Sequence, residues 1–550
     1  MSADRTDRPR GAPRPPTPLP DLFSADGPYA AALRGFDPTR LFRHGLDFTS
    51  AMFGIAIGHS DIAADPKDWR FRDAAWTTNP FYKRLSQAYL ATCDAIEKMI
   101  PDDLPVEARS RAELAASIAI SAFAPTNTLL GNPAALNRTI ETGGSNLARG
   151  FRAFLKDLAE NKGLPRQVDD SAFEVGGNLA VTPGKVVLRT DLFELIHYAP
   201  ATREVHEIPV LLIPPQIGRY YFTDLAPGRS FAEYTVSQGL QYFAVSWRNP
   251  SPEQRDIGMV EYAAAVREAI AAVLEITGQC SLNVVGFCAG GILSAMVAAL
   301  LASHQPETIN SFTSCVTMLD FRSDAALGAF RLPAMLAVAK ARSEIKGILP
   351  GEDLASIFTW MRPNDLVWNY WVNNYLMGEE PPAFDILAWN KDSTNLSAKL
   401  HADFLELFES NALVEPGAYQ LGDEAVDLSQ IACDSFLVGA VTDHLTPWKA
   451  CYQSQRHLAG KRTFALSNGG HIAALVNPPG NAKAFHWIGS AVADDADSWL
   501  AGAEKRQGSW WESWTRWTAE RSGAKVLAPA TLGSGRCPPL MDAPGRYVRE

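Results

Sequence analysis

From residue 172 onward, the chain contains repeated short apolar runs of strand length, separated by longer helical stretches. These runs are "PVLLIPP", "QYFAVSW", "LNVVGFC", "SFTSCVTML", "DSFLVGAV" and "RTFALSN". A continuous apolar run is expected for a parallel strand whose two faces are both covered by helices. The segment "MVEYAAAVREAIAAVLEIT" has helical spacing of apolar residues and supplies a crossover between two of these strands. The pattern predicts an α/β fold with a doubly wound sheet, preceded by a strand pair in "KVVLRTDLFELIHYAP".

The first part of the chain has a different composition and a different spacing of apolar residues. Residues 1–20, rich in proline and arginine, are expected to form a disordered tail. Residues 21–171 are predicted to be mostly helical, because "NPFYKRLSQAYLATCDAIEKMI" and "SRAELAASIAISAFAP" place apolar residues three and four positions apart. This region carries no catalytic signature, so the chemistry is expected in the α/β part.

A long interval interrupts the alternation of strands and helices. The first part of the predicted α/β core covers residues 172–320, and the second part, with a tryptophan-rich tail, covers residues 432–550. Between them, residues 321–431 contain helical and aromatic-rich text such as "FTWMRPNDLVWNYWVNNYL". In open α/β sheets the loops at the carboxyl ends of the strands surround the site, so this interval is predicted to be a large cap insertion.

Tryptophan residues are concentrated in the cap interval and near the end of the chain. In "GSWWESWTRWTAERSG", Trp510, Trp514 and Trp517 have helical spacing, which predicts a helix that docks an aromatic face onto the body. The tryptophans of the cap interval either pack within the cap or between two copies, or line an apolar tunnel. They are Trp360, Trp368, Trp371 and Trp389.

Composition narrows the possible functions. The formal net charge of −11, without a basic stripe interleaved with aromatics, argues against nucleic-acid binding. No run of about 18 apolar residues predicts a membrane-spanning helix, and the first residues lack the apolar stretch of a secretory signal, so we expect a cytoplasmic protein. The 7 cysteines include no CxxC pair, which indicates neither a disulfide framework nor a metal site.

One cysteine occupies a distinctive position. In "NVVGFCAGG" a predicted buried strand runs into Cys288, and Gly286 and Gly290 stand two residues away on either side. This is the nucleophile-elbow pattern with cysteine in place of serine. The turn tolerates only small neighbours, and it places the sulfur at the start of the following helix, where positive partial charge favours thiolate.

The elbow predicts a carboxylate after a later strand and a histidine after the last strand. Asp443 follows "DSFLVGAV", and His471 follows "RTFALSN", in that order. His471 would accept the proton of Cys288 or of an incoming hydroxyl, and Asp443 would fix its tautomer. His444, next to Asp443, is either a loop histidine bonded to backbone or a second catalytic group.

Attack by the sulfur would create an oxyanion, which needs two preorganised donors. One is expected to be the backbone N–H of Ala289, directly after the nucleophile. The other is expected from "IPPQIGRYY", and because Pro214 and Pro215 carry no N–H, it must come from Gln216 or a later residue.

Seven segments in the same order resemble the signature segments of polyhydroxyalkanoate synthases. They are "PPQIGRYYFTDLAP", "VSWRNP", "GFCAGG", "MRPNDLVWNYWVNNYL", "PPAFDILAWNKDSTNL", "TDHLTPW" and "GHIAALVNPPGN". The resemblance extends from "DWRFRDAAW" through the tryptophan-rich tail. It implies an α/β-hydrolase fold and polymerisation of (R)-3-hydroxyacyl-coenzyme A thioesters into polyester, with coenzyme A released as a product and no cofactor.

The resemblance also carries expectations about residues and partners. It places the nucleophile, carboxylate and base of the family on Cys288, Asp443 and His471. The length resembles the types that work as a single kind of polypeptide. It implies a homodimer that holds the growing polyester chain and sits on the surface of cytoplasmic polymer granules.

The sequence contains conflicting indications of the preferred substrate chain length. The segments "WVNNYLMGEEPPAFDIL" and "GSWWESWTRW" look most like the type that prefers medium-chain monomers, whereas Ala473 resembles short-chain enzymes. Gly218 and Arg219 replace the usual Asn-Lys of the family segment. No phosphate-binding motif marks the coenzyme A site, and Arg219 and Arg248 are only candidates for that contact.

Two other functions remain open from the sequence. A cysteine-dependent α/β-hydrolase, either a thioesterase or a lactone hydrolase, would use the same elbow without the large helical region and cap. A non-enzymatic granule coat protein would bind polymer through an amphipathic helix such as "TRLFRHGLDFTSAMFGIAIG" but would not require an ordered Cys, Asp and His.

Overall fold

The computed structural model describes residues 38–322, 332–490 and 493–550, with side chains from residue 42 onward. The tail predicted for residues 1–20 lies outside the described residues. The strands are β1 Gly184–Arg189, β2 Phe193–Tyr198, β3 Glu204–Ile213, β4 Leu240–Trp247, β5 Leu282–Phe287, β6 Ile309–Cys315, β7 Ile348–Leu349, β8 Leu396–Ser397, β9 Gln420–Leu421, β10 Glu424–Ala425, β11 Asp434–Ala440, β12 Arg462–Ser467, β13 Phe485–Gly489, β14 Glu504–Gln507, β15 Lys525–Leu527 and β16 Met541–Asp542.

The α-helices alternate with these strands in the α/β part and dominate the N-terminal part. They are α1 Pro38–Ile57, α2 Ala75–Thr78, α3 Pro80–Lys98, α4 Val106–Ala122, α5 Pro133–Glu141, α6 Ser145–Glu160, α7 Phe231–Ser237, α8 Met259–Thr277, α9 Ala289–His304, α10 Pro333–Lys346, α11 Gly351–Met361, α12 Asp385–Lys391, α13 Ala398–Ser410, α14 Trp448–Ser454, α15 His471–Leu475, α16 Ala496–Gly502 and α17 Trp510–Ala519. Two π-helical turns, Asn364–Trp368 and Trp371–Leu376, follow α11.

Twelve of the described strands form one mixed sheet. Its order is β14-β13-β12-β11-β6-β5-β3-β4-β2-β1-β16, with β15 paired to the start of β3. The central strands β4, β3, β5, β6, β11 and β12 are parallel, and the strands on both flanks are antiparallel. The predicted α/β class is confirmed, and every apolar run quoted above contributes a strand of this sheet. Because β5, β11 and β12 are parallel, the residues after them emerge at the same edge.

Alternating residues of the central strands face two separate layers. In β3, Leu211 and Ile213 belong to one apolar core, with α8 and α9, whereas Val210 and Leu212 belong to the other. This follows from the two-residue period of a strand whose faces are both buried. The predicted crossover helix is α8, over Met259–Thr277, on the first of these layers.

The tryptophan-rich helix α17 closes the second layer. Trp510 and Trp514 are fully buried, and both indole N–H groups have partners inside the protein. Trp510 Nε1 donates to the carbonyl of Ala474 at 2.7 Å, and Trp514 Nε1 donates to Thr313 Oγ1 at 3.0 Å. An aromatic ring buried with a satisfied N–H stabilises the fold, so this helix docks on the body as its spacing indicates.

The interval 321–431 divides into two kinds of structure. Helix α13, at its end, buries Leu400 and Leu407 in the main core and accepts the Met259 N–H on Asp403 Oδ2 at 2.8 Å. This part of the predicted cap therefore packs as body. The earlier part, from α10 to α12, carries the two π-helical turns.

The N-terminal helices pack on these π-helical turns. The carbonyl of Tyr375 lies where a side chain on Gly150 would stand, 2.0 Å from the position of an added Cβ. Tyr375 also donates its hydroxyl to buried Asp157 at 2.8 Å, and Asn146 Nδ2 donates to the carbonyl of Leu376 at 2.7 Å. Since α6 supplies all three contacts, the N-terminal region is anchored to the cap interval.

Candidate active site

The nucleophile elbow is built at the junction of β5 and α9. Cys288 precedes the first residue of α9 and has φ 51° and ψ −122°. A non-glycine residue rarely adopts a positive φ, and such strained backbone persists only where its surroundings hold it. Here the Cys288 N–H donates to the carbonyl of Cys315 at 2.9 Å, and Thr317 Oγ1 donates to the Cys288 carbonyl at 3.0 Å. The thiol is partly exposed at this position.

The glycines around Cys288 are required by close backbone contacts. A Cβ on Gly286 would lie 2.5 Å from the Cα of Gly291, and a Cβ on Gly290 would lie 2.3 Å from the carbonyl oxygen of Ile213. The segment after β3 therefore presses directly against the first turn of α9. This explains the small residues that the sequence places on both sides of the cysteine.

We expect Gly290→Ala to lower the free energy of unfolding by about 1–3 kcal/mol, because the added methyl group overlaps the carbonyl oxygen of Ile213. Urea unfolding measures this change. Gly502→Ala is the matched control, since an added Cβ there meets no atom within 4 Å. Equal stability of the two variants would contradict the tight contact.

Asp443 and His471 meet at the same edge of the sheet. Asp443 lies after β11, and His471 is the first residue of α15, after β12. His471 Nδ1 is 2.6 Å from Asp443 Oδ2. Thr446 donates its hydroxyl to Asp443 Oδ2 at 2.7 Å, and the N–H groups of Leu445 and Thr446 donate to Oδ1 at 2.9 and 3.0 Å. Both carboxylate oxygens are therefore held, which orients the imidazole.

Electrostatics connect this pair to the sulfur. Burial disfavours the charged imidazole, but Asp443 and Cys288 together raise the pKa of His471 above its usual 6.5, to about 10. Cys288 raises this pKa both through its charge and through a side-chain hydrogen bond. Burial and the charge of Arg362 lower the pKa of His444 to about 4, and His471 contributes in the same direction. His471 is therefore charged and His444 neutral near pH 7.

Replacing the Asp443 carboxylate is expected to make the neutral form of the His471 imidazole more stable than the charged form. In Asp443→Asn burial remains, the attraction is lost, and we expect the imidazole to be neutral at pH 7. In the wild type the charged ring contributes stability that is full below about pH 6.5 and is lost as the pH rises toward about 10.

The measurement is the rate at which iodoacetamide alkylates Cys288 at pH 7, followed by mass spectrometry of the Cys288 peptide. We expect Asp443→Asn to lower this rate by about tenfold or more, since the imidazolium that favours thiolate is gone. Asp497→Asn, at an exposed ion pair with Lys449, is the control. An unchanged rate in Asp443→Asn would contradict the described electrostatics.

The two segments expected to supply oxyanion donors differ in their hydrogen bonds. Ala289 begins α9, so its N–H is one of the helix N-terminal donors that have no partner within the helix. The Gln216 carbonyl accepts a bond from Thr394, and the Gly218 N–H donates to the same hydroxyl. The side-chain amide of Gln216 is buried and has no hydrogen-bond partner among the described residues.

Three of the four tryptophans noted in the cap interval are engaged in packing. Trp371 donates its N–H to the carbonyl of Asn127 at 3.1 Å and contacts Trp368 at 5.7 Å between ring centroids. Trp389 lies 5.1 Å from Phe222 between centroids. These contacts join the cap to the N-terminal region and to the body, which favours the packing interpretation of these side chains over the tunnel.

The two arginines considered for coenzyme A contact are already paired. Arg219 is buried, with Nε 3.1 Å from Asp392 Oδ1 and Nη1 donating to the carbonyl of Tyr547 at 2.9 Å. Arg248 pairs with the Glu550 carboxylate at 3.2 Å. Both side chains hold the last turn of the described chain, so they are poor candidates for binding substrate phosphates.

Sequence reasoning missed Thr446 and Thr394. Thr446 bonds to both Asp443 and His471, whose Nδ1 is 3.2 Å from its hydroxyl. The spacing Asp443-x-x-Thr446 is a local turn signal and could have been used. No local signal connects Thr394 to Gln216, since 178 positions separate them.

Two absences hold for the described ranges. None of their helices is long and apolar enough to cross a membrane. Within the same ranges, no group of three or more His, Cys, Asp and Glu side chains is arranged to hold a metal ion.

Comparison with known proteins identifies relatives over most of the chain. Residues 67–235 match the family described as "Poly-beta-hydroxybutyrate polymerase (PhaC) N-terminus", and residues 209–478 match the alpha/beta hydrolase fold. "Poly(3-hydroxyalkanoate) polymerase 2" of Ectopseudomonas oleovorans is 43% identical, with 93% of this chain and 91% of that protein covered. "Poly(3-hydroxyalkanoate) polymerase subunit PhaC" of Cupriavidus necator is 38% identical, with 92% and 87% covered.

Proposed function

Because the chain belongs to the poly(3-hydroxyalkanoate) polymerase family and is an acyltransferase with an α/β-hydrolase fold, we propose that it joins (R)-3-hydroxyacyl groups from coenzyme A thioesters through an acyl-Cys288 intermediate. The observation that carries this mechanism is the His471–Asp443 hydrogen bond at the edge of the sheet where the strained Cys288 also lies. Polyester synthesis follows from the family, whereas the roles of the three residues are our proposal.

The first step loads the enzyme. The Cys288 thiolate attacks the thioester carbonyl carbon, and negative charge develops on the carbonyl oxygen. The N–H of Ala289 and a donor from the Gln216 segment stabilise that charge. The new carbon–sulfur bond to Cys288 forms as the bond to coenzyme A breaks, and His471 gives its proton to the departing thiolate.

The second step extends the polymer. The 3-hydroxyl oxygen of another monomer or of the chain end attacks the acyl carbon on Cys288. His471, now neutral, accepts the hydroxyl proton, the ester bond forms, and the Cys288 thiolate leaves. His471 lies close enough to His444 to lower its pKa, and we keep the neutral imidazole of His444 as an auxiliary candidate for accepting this proton.

Cysteine suits this cycle better than serine. Transfer from one thiol to another exchanges one thioester for a second of similar free energy, so the loaded acyl group keeps its reactivity. A serine would form an ester at the first step, and transfer to the next hydroxyl would then lack that driving force. The thiolate also leaves readily when the ester forms.

The proposal extends to partners and substrate length. We propose a preference for medium-chain monomers, a homodimer, and a place on cytoplasmic polymer granules. Helix α1 supports the granule contact, because its apolar side chains are exposed along one face. These are Phe42, Leu46, Phe53 and Ile57. No resident cofactor is needed for either step.

The competing activity is hydrolysis of the same thioesters. The test is incubation with 3-hydroxybutyryl-coenzyme A and, separately, 3-hydroxydecanoyl-coenzyme A, with chromatography of all acyl products. We expect coenzyme A release to be matched by ester-linked oligomer or polymer, with faster turnover of the longer substrate. Release matched by free hydroxy acid would instead identify a thioesterase.

A further inference from the structure

One hydroxyl joins the two ends of a short turn in the segment after β3. Thr394 Oγ1 accepts a hydrogen bond from the Gly218 N–H at 2.7 Å and lies 3.2 Å from the Gln216 carbonyl, to which it donates. Thr394 is itself buried. A buried hydroxyl with both functions satisfied fixes the groups that it contacts.

Neighbouring residues extend this contact. Trp389 Nε1 donates to the Arg219 carbonyl at 2.7 Å, and its ring fills the space beside Gly218, 3.0 Å from the position of an added Cβ. Asp392 binds Arg219 Nε and the Tyr221 hydroxyl, both at 3.1 Å. The end of the cap interval therefore holds the backbone after β3 at several successive residues.

These contacts determine where an unused N–H points. The peptide unit is planar and trans, so its C=O and N–H point in opposite directions. Since the Gln216 carbonyl points at Thr394, the Ile217 N–H points away from the cap segment. That N–H has no partner among the described residues, and the same segment runs against the first turn of α9, where Gly290 meets the carbonyl of Ile213.

We propose that Thr394 is a positioning residue that aims the Ile217 N–H at the oxyanion formed on Cys288. The donor expected from Gln216 or a later residue is thereby assigned to Ile217, and its direction depends on the end of the cap interval. A displacement of Thr394 would remove one oxyanion donor while leaving the sulfur, imidazole and carboxylate in place. This inference rests on the proposed acyl transfer.

The test compares Thr394→Val, which keeps the shape and removes the hydroxyl, with Thr394→Ser, which keeps the hydroxyl. Single-turnover release of coenzyme A from 3-hydroxydecanoyl-coenzyme A is measured in rapidly quenched samples at several substrate concentrations. We expect Thr394→Val to lower the limiting rate about 10- to 100-fold, because one misaimed donor weakens transition-state stabilisation. The substrate concentration at half-saturation in Thr394→Val is expected to stay within about threefold of the wild-type value. The limiting rate of Thr394→Ser is expected to stay within about threefold of the wild-type rate.

Iodoacetamide alkylation of Cys288 separates positioning from general damage. We expect Thr394→Val to keep this rate within about twofold, because alkylation develops no oxyanion. If Thr394→Val does not fold, Thr394→Ala takes its place, because alanine also lacks the hydroxyl and adds no methyl group to the buried site. An unchanged limiting rate, or an equal loss of release and alkylation in a folded variant, would overturn the inference. Absence of release in the wild type would instead contradict the proposed function.

Discussion

Cys288→Ser is expected to lower polymer synthesis by at least about 1000-fold, although only one atom changes. The backbone geometry is already enforced by the bonds to Cys315 and Thr317, so the serine oxygen would occupy the position of the sulfur. An alcohol is far less acidic than a thiol, so the serine oxygen forms no anion comparable to the thiolate that attacks the substrate. Coenzyme A release and polymer mass are measured together.

Cys288→Ala is the companion variant. We expect it to bind substrate and to release no coenzyme A above background, while its unfolding transition matches that of the wild type. Alkylation of exposed Cys280 provides an internal control for the reagent. Normal coenzyme A release by Cys288→Ala would move the chemistry to another residue.

His471→Gln is expected to lower polymer synthesis by about 1000-fold or more, because one side chain serves both steps. The amide cannot take a proton from a hydroxyl, and it supplies no positive charge beside the sulfur. We expect loading of Cys288 and its alkylation to fall as well, which separates this variant from one that blocks only chain extension.

The control for this variant is His304→Gln, at an exposed histidine at the end of α9. It should keep wild-type release of coenzyme A and wild-type polymer mass. Circular dichroism and thermal unfolding of His471→Gln establish that the fold persists. Loading of Cys288 at the wild-type rate in His471→Gln would show that another group activates the thiol.

The sheet and the elbow could be predicted because both depend on local pattern. Continuous apolar runs mark strands that are buried on both faces, and each of the quoted runs became a strand of the main sheet. The small residues beside Cys288 follow from backbone contacts in one turn. The chain order of Cys288, Asp443 and His471 could be used because parallel strands deliver their ends to one edge.

The remaining features depend on long-range contacts that no local pattern encodes. The apolar pattern of α13 does not show which surface the helix packs against, and only the structure shows that Leu400 and Leu407 join the main core. The pairing of Arg219 with Asp392 and the Tyr547 carbonyl likewise joins three distant segments. The sequence alone does not show that such an arginine already forms an ion pair within the protein.

The proposed mechanism requires that the sulfur of Cys288 carries the acyl group, and mass spectrometry of the enzyme tests this directly. The protein is mixed with 3-hydroxydecanoyl-coenzyme A, quenched in acid within the first turnover, and digested. We predict that the Cys288 peptide carries the mass of the acyl group as a thioester that hydroxylamine removes. Coenzyme A release with an unmodified Cys288 peptide, and the acyl mass on another residue, would contradict this mechanism.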